Sequence, residues 1–162
     1  MSRRVLLQGV GAMVPAVALA AAVEGTAAAA AAPTADGAVR GTFSASGYSW
    51  TSQAPGEQGF ASGVVFLCTA GGLPAPGRRV RFSISSFDAV AGSVWFDAGT
   101  GRKAMDRRGY LDLDTDAAGT VVLDRWLRRG GVPTTAVAAR PVLRAQLVGS
   151  EKILASARLS VI

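Results

Sequence analysis

Asp112, Asp114 and Asp116 stand at alternate positions and are followed by Gly119. Several carboxylate oxygens held together are what a hard cation such as calcium takes. The spacing does not make an EF-hand loop. The glycine comes two positions late, and Leu123 stands where a bidentate glutamate belongs. On a strand, Asp112 and Asp114 would lie on the outer face, about 7 Å apart along the chain. Asp116-Ala117-Ala118-Gly119 reads as a turn. The favoured reading is a solvated strand face running into that turn, with no metal site and no cofactor.

Covalent chemistry is poorly supplied. The chain has no histidine, so a Ser-His-Asp arrangement is excluded. The single cysteine, Cys68, has no histidine to activate it and sits in an apolar run, where it reads as a small buried hydrophobe. It cannot form an internal disulfide, so packing alone must hold the domain. Lys103 and Lys152 are the only lysines, and neither lies in a Ser–Lys motif. Asp88, Asp97, Asp106 and Asp124 have the chemistry of a glycosidase pair, but the sequence does not place two of them across a cleft. The expectation is a protein that is not an enzyme. A small secreted hydrolase, or an accessory subunit of one, is the alternative, and a structural exoprotein without a ligand is a third reading.

Binding is better supplied. Basic residues cluster at Arg78/Arg79/Arg81, at Arg102/Lys103/Arg107/Arg108 and at Arg125/Arg128/Arg129. Net charge is +6, and it is +5 once residues 1–32 are set aside. Such a surplus favours anionic surfaces. No nucleic-acid module is recognisable, and aromatics are not regularly interleaved with the basic residues, so nucleic acid is not the expected partner. Trp126, between Asp124 and Arg128, is the tryptophan expected to be partly exposed, where an indole can stack on a sugar ring. The candidate binding residues are Arg102, Lys103, Arg107, Arg108, Trp126, Arg128 and Arg129. The expected partner is a cell-envelope polymer, a glycan or a surface protein.

Short strands must position these groups. Val80, Phe82 and Ile84 alternate with Arg79, Arg81 and Ser83, the period of a half-buried strand. Gly71-Gly72-Leu73-Pro74-Ala75-Pro76-Gly77 forms the turn before it and stops the preceding strand, Val64 to Thr69. Val64 to Cys68 is apolar on both faces, which predicts burial in the centre of a sheet. Further strands are expected over Arg40–Thr51, Ser93–Phe96, Tyr110–Asp114 and Thr120–Leu127. A final hairpin pairs Leu143, Ala145 and Leu147 with Ala155, Ala157, Leu159 and Val161 across Gly149-Ser150. Loops are expected over Ser52–Gly59, Ser85–Ala91 and Arg128–Thr135. Turn signals at these intervals predict an all-β, antiparallel sandwich of about seven strands over residues 39–162.

Residues 1–32 read as a cleavable export signal, and residues 33–38 as a linker. Arg3 and Arg4 follow Ser2 and precede Leu6 and Leu7, which resembles a twin-arginine signal; a general secretory signal is the competitor. The apolar stretch Val10 to Val23 is too short to span a bilayer comfortably and leads to Ala30-Ala31-Ala32, an A-x-A cleavage site. The mature chain is therefore expected to be secreted, with no stable membrane insertion.

From about Ala61 onward the pattern resembles bacterial Ig-like domains of the invasin/intimin type. The resemblance rests on Gly72, Pro74, Gly77, Val80 and Phe82, then Gly92, then Thr115, Asp116 and Gly119. It implies a seven-stranded sandwich and a cell-surface or secreted role in adhesion or as a spacer, and it carries no catalytic residues. This chain has one copy where such domains usually come in tandem, and its stretch from Ser85 to Gly109 is long for the family. A transthyretin-like exported sandwich shares the Gly-x-Pro and Thr-Asp-x-x-Gly markers and is the rival on fold.

Overall fold

The computed structural model describes residues 38–97 and 107–162. The expected export signal with Arg3 and Arg4, most of the linker, and Arg102 and Lys103 lie outside the described residues. In chain order the described elements are β1 (Val39–Phe43), β2 (Gly47–Trp50), β3 (Gly59–Phe60), β4 (Val65–Ala70), β5 (Leu73–Pro74), β6 (Arg79–Ile84), the single helical turn α1 (Phe87–Val90), β7 (Val94–Asp97), β8 (Arg107–Arg108), β9 (Tyr110–Asp114), β10 (Thr120–Val122), β11 (Leu127–Arg129), β12 (Val142–Leu147) and β13 (Ile153–Val161). The chain is nearly all β, as its alternation predicts.

The strands form three sheets. The first runs β1-β4-β10, with β5 hydrogen-bonded to the end of β4. The second runs β2-β13-β12-β6-β9 and is antiparallel except where β2 lies parallel to β13. The first two sheets meet across three rings. Phe66 of β4 is 5.3 Å from Phe82 of β6, edge to face, and Phe43 of β1 is 5.4 Å from Phe66. Each such phenylalanine, taken fully from water, contributes about 1.5–3 kcal/mol. Val80, Phe82 and Ile84 point into this core, while Arg79 is exposed and Arg81 and Ser83 are half-buried. The final hairpin pairs Leu143 with Ala157 and Ala145 with Ala155, with a bulge after Ala145.

The two sequence markers meet in space. Buried Thr115 accepts a hydrogen bond at Oγ1 from the Arg78 amide (2.9 Å) and donates one to the Ala75 carbonyl (2.7 Å). The Gly77 amide donates to the Thr115 carbonyl. Gly119 has φ +71°, and a Cβ there would lie 2.5 Å from the Cys68 carbonyl oxygen. Only glycine lets the Asp116 turn press against β4 in this way. Asp116 closes its own turn, its Oδ1 accepting from the amides of Ala118 and Thr120.

Several expectations are corrected. The stretch Arg40–Thr51 is two strands in different sheets, because Ser44–Ser46 turns the chain from β1 to β2. Thr120–Leu127 also divides. Asp124 Oδ1 accepts the Val64 amide (2.9 Å), and the Trp126 amide donates to the Leu123 carbonyl, turning the chain between β10 and β11. Ser85–Ala91 contains α1, and Arg128–Thr135 begins inside β11. The apolar run of β4 is not buried on both faces. Phe66 and Cys68 are sealed, but Leu67 remains 40% exposed, because the described residues cover only one face of the first sheet.

The third sheet, β3-β11-β7-β8, was not foreseen as a sheet. Its strands are two to four residues long. Val94, Phe96 and Leu127 on one face join the common core. Its other face carries the site.

Candidate functional site

Register determines what the outer face of the third sheet presents. Arg128 of β11 pairs with Phe60 on one side and Trp95 on the other. Asp97 of β7 pairs with Arg107 of β8. Residues paired across neighbouring strands share a face. Phe60, Arg128, Trp95, Asp97 and Arg107 therefore lie together on it.

Two arginine–aromatic stacks form there. The Arg128 guanidinium carbon lies 3.7 Å from the centre of the Phe60 ring, and that of Arg107 lies 4.0 Å from the centre of the Trp95 ring. Such stacks are worth about 0.5–1 kcal/mol at exposed sites and more where water is excluded. Arg128 donates from Nε and an Nη to one carboxylate oxygen of Asp97 (3.1 and 3.0 Å). Arg107 donates to the Ala91 carbonyl (2.8 Å). Arg129 donates to the carbonyls of Phe60 and Thr51. Trp95 is 3% exposed and Phe60 is 50% exposed, so the arginines roof one ring and leave the other half open.

Arg108 is exposed and makes no hydrogen bond, ion pair or ring contact among the described residues. Beside this face, a cavity of about 270 Å³ is lined by Arg107, Glu57, Gly92, Gly130, Gly131 and Val132 among others. Gly130 is required where it stands. A Cβ there would meet the Gly92 carbonyl oxygen at 2.2 Å and the Trp95 ring at 2.9 Å.

The expected binding residues thus divide. Arg107, Arg108, Arg128 and Arg129 come together on one small sheet. By register Arg107 and Arg128 share the outer face, whereas Arg108, paired with Phe96, and Arg129, paired with Val94, alternate to the other side. Trp126 lies outside the strands of this sheet. It sits in the turn before β11, half-buried, with the Arg125 guanidinium 4.9 Å from its ring centre. Sequence reasoning missed Phe60 and Trp95 as arginine partners. Their signal was present only in the register of strands too short to show alternation.

The aspartate run is used by the fold. Arg81 grips Asp112 with two hydrogen bonds (2.7 and 2.8 Å), and Arg79 reaches Asp114 (2.9 Å). These are cross-strand pairs between β6 and β9. The Arg81 hydrogen bonds hold the Asp112 carboxyl below the usual carboxylate range, against a smaller opposing effect of burial. The same contact holds the Arg81 guanidinium above its usual value. Among the described residues, no group of three or more His, Cys, Asp or Glu side chains could hold a metal ion. Cys68 is fully buried; burial pushes its thiol up, with a smaller opposing pull from Arg78. No thiolate nucleophile is set up there.

No family model, no curated protein and no solved structure matches this chain.

Proposed function

We propose that this chain is a secreted, non-enzymatic, Ig-like binding module, of the invasin/intimin type, that attaches to an anionic polymer of the cell envelope. The observation that carries the proposal is the third sheet. Four arginines stand there with one aspartate, Asp97, and two of the arginines are set over aromatic rings. A guanidinium fixed in this way keeps donors free on its edge and loses less entropy on meeting a phosphate or carboxylate. Arg108, next to Arg107 in β8 but alternating to the other side of that strand, contributes an unengaged cation at the edge of the sheet.

The strand orders support the Ig-like reading. β1-β4-β10 follows the A-B-E order of such a sandwich, and β13-β12-β6-β9 follows G-F-C with one added strand. Export by the twin-arginine route fits a domain whose only cysteine is buried and which needs no disulfide.

The test is co-sedimentation of the purified chain with intact cell wall, and with wall stripped of its anionic polymer, across a salt series. The proposal expects binding that is lost on stripping and weakens as salt rises, because exposed charge interactions are screened. Equal binding to both walls would remove the polymer as the ligand. No binding to either would remove envelope attachment.

A further inference from the structure

A second cavity, of about 430 Å³, shares none of its lining residues with the arginine–aromatic face. Trp126 and Arg125 form one part of its wall, and Leu113, Val121 and Val122 another. Asp114, Asp116 and Asp124 supply its carboxylates. The volume lies within the ordinary range for small-ligand sites. We propose that this cavity is a saccharide-binding site, independent of the polymer-binding face.

The chemistry follows from how each group is held. Asp116 gives Oδ1 to two amides of its own turn, and Asp124 gives Oδ1 to the Val64 amide. The other oxygen of each has no hydrogen bond among the described residues. Both carboxylates are thus anchored acceptors with one oxygen to offer, which suits the hydroxyl donors of a sugar. Trp126 is half-buried, with Arg125 stacked over its ring. The part of this half-buried indole that Arg125 does not cover lines the cavity beside fixed acceptors, and it can take the C–H face of a pyranose while the carboxylates take its hydroxyls. Val122, 50% exposed, extends the apolar side.

A small cation fits less well. Arg79 already engages Asp114, and Arg125 faces the same cavity, so the local charge is nearly balanced. A neutral polyhydroxy ligand needs no surplus charge.

The test follows the three tryptophan indole N–H resonances of the full chain during titration with chitotetraose and, separately, with maltotetraose. Trp126→Phe assigns its resonance by loss of that signal. The expected result is a saturable shift of the Trp126 signal with at least one of the two sugars. The Trp95 signal should stay still, since that ring is buried under Arg107. Trp126→Ala, whose affinity is read by calorimetry because its own indole signal is lost, should bind the sugar about tenfold or more weakly. Should Trp126→Ala fail to fold, Val122→Arg serves instead: it fills the cavity from an exposed strand position and should abolish the shift. Arg108→Glu, on the other site, should leave sugar binding unchanged while weakening attachment to anionic polymer. No saturable shift with either sugar overturns the proposal. So does a shift that survives Val122→Arg unaltered. Loss of sugar binding in Arg108→Glu would contradict the independence of the two sites.

Discussion

The Phe43–Phe66–Phe82 cluster and the stacks of the third sheet use the same kind of side chain under opposite conditions. In the sandwich, aromatic rings meet one another and are sealed, with Phe66 and Phe82 fully buried between two sheets. In the third sheet, no further sheet covers the outer face among the described residues. Arginine side chains do that work, set over Phe60 and Trp95. An aromatic surface roofed by guanidinium remains a charged surface. The difference shows how one domain can seal an apolar core and still present rigid, positively charged chemistry a few residues away along the chain.

The largest expected effect breaks the first half of that comparison. Phe82→Ser empties the centre of the sealed cluster and leaves a hydroxyl there, costing about 3–5 kcal/mol or more in denaturant unfolding. Arg81→Ser, one residue away on the opposite face, removes a partly exposed ion pair to Asp112 and a cation–π contact with exposed Tyr110, and should cost about 1–2 kcal/mol. Equal costs would show that the alternation of β6 does not face a core.

A smaller effect sharpens the second half. Arg128→Ala removes both the stack on Phe60 and the Asp97 ion pair, and should cost about 1–2 kcal/mol. Arg128→Lys keeps the charge but not the planar fork, and should recover little of the loss. Full recovery by lysine would mean that charge alone, without stacking, holds the third sheet.

The smallest effect concerns pH. Asp112 is depressed in the folded state, so its contribution is fully present above the unfolded carboxylate pKa of about 3.9. As pH falls below that value, the unfolded chain takes the proton first and the contribution shrinks. It is gone once pH has passed through the lower folded value. Thermal melting from pH 5 to pH 2 should therefore show a slightly steeper decline for the native chain than for Asp112→Asn. Parallel curves would mean that the Arg81 contact does not depress Asp112.

The sandwich was legible because its strands are long enough to show their period. β6, β12 and β13 span six to nine residues, and their inward positions could be read directly. Thr115 and Gly119 were legible as markers, but their reason appeared only when the chain brought them against Ala75 and Cys68. The third sheet was not legible, because its strands of two to four residues cannot establish an alternation. Phe60 sat at the end of a glycine-rich loop, and its partner Arg128 is far along the chain. Arg107 and Arg108 were read in one basic cluster and Arg128 and Arg129 in another, and nothing local to either announced that β7 would bring them into one sheet, or Trp95 as the ring beneath Arg107. Trp126 was expected to be partly exposed, and it is half-buried.

The most direct test of the polymer-binding face is the salt dependence of affinity for soluble polyphosphate, measured by calorimetry for the native chain and for Arg108→Glu. Arg108 is exposed and its side chain makes no hydrogen bond, ion pair or ring contact among the described residues, so its reversal should leave the melting temperature nearly unchanged. The account predicts saturable binding that weakens steeply with salt, and clearly weaker binding with a shallower salt dependence in the variant. Binding that ignores salt, or that is the same in both proteins, would contradict it.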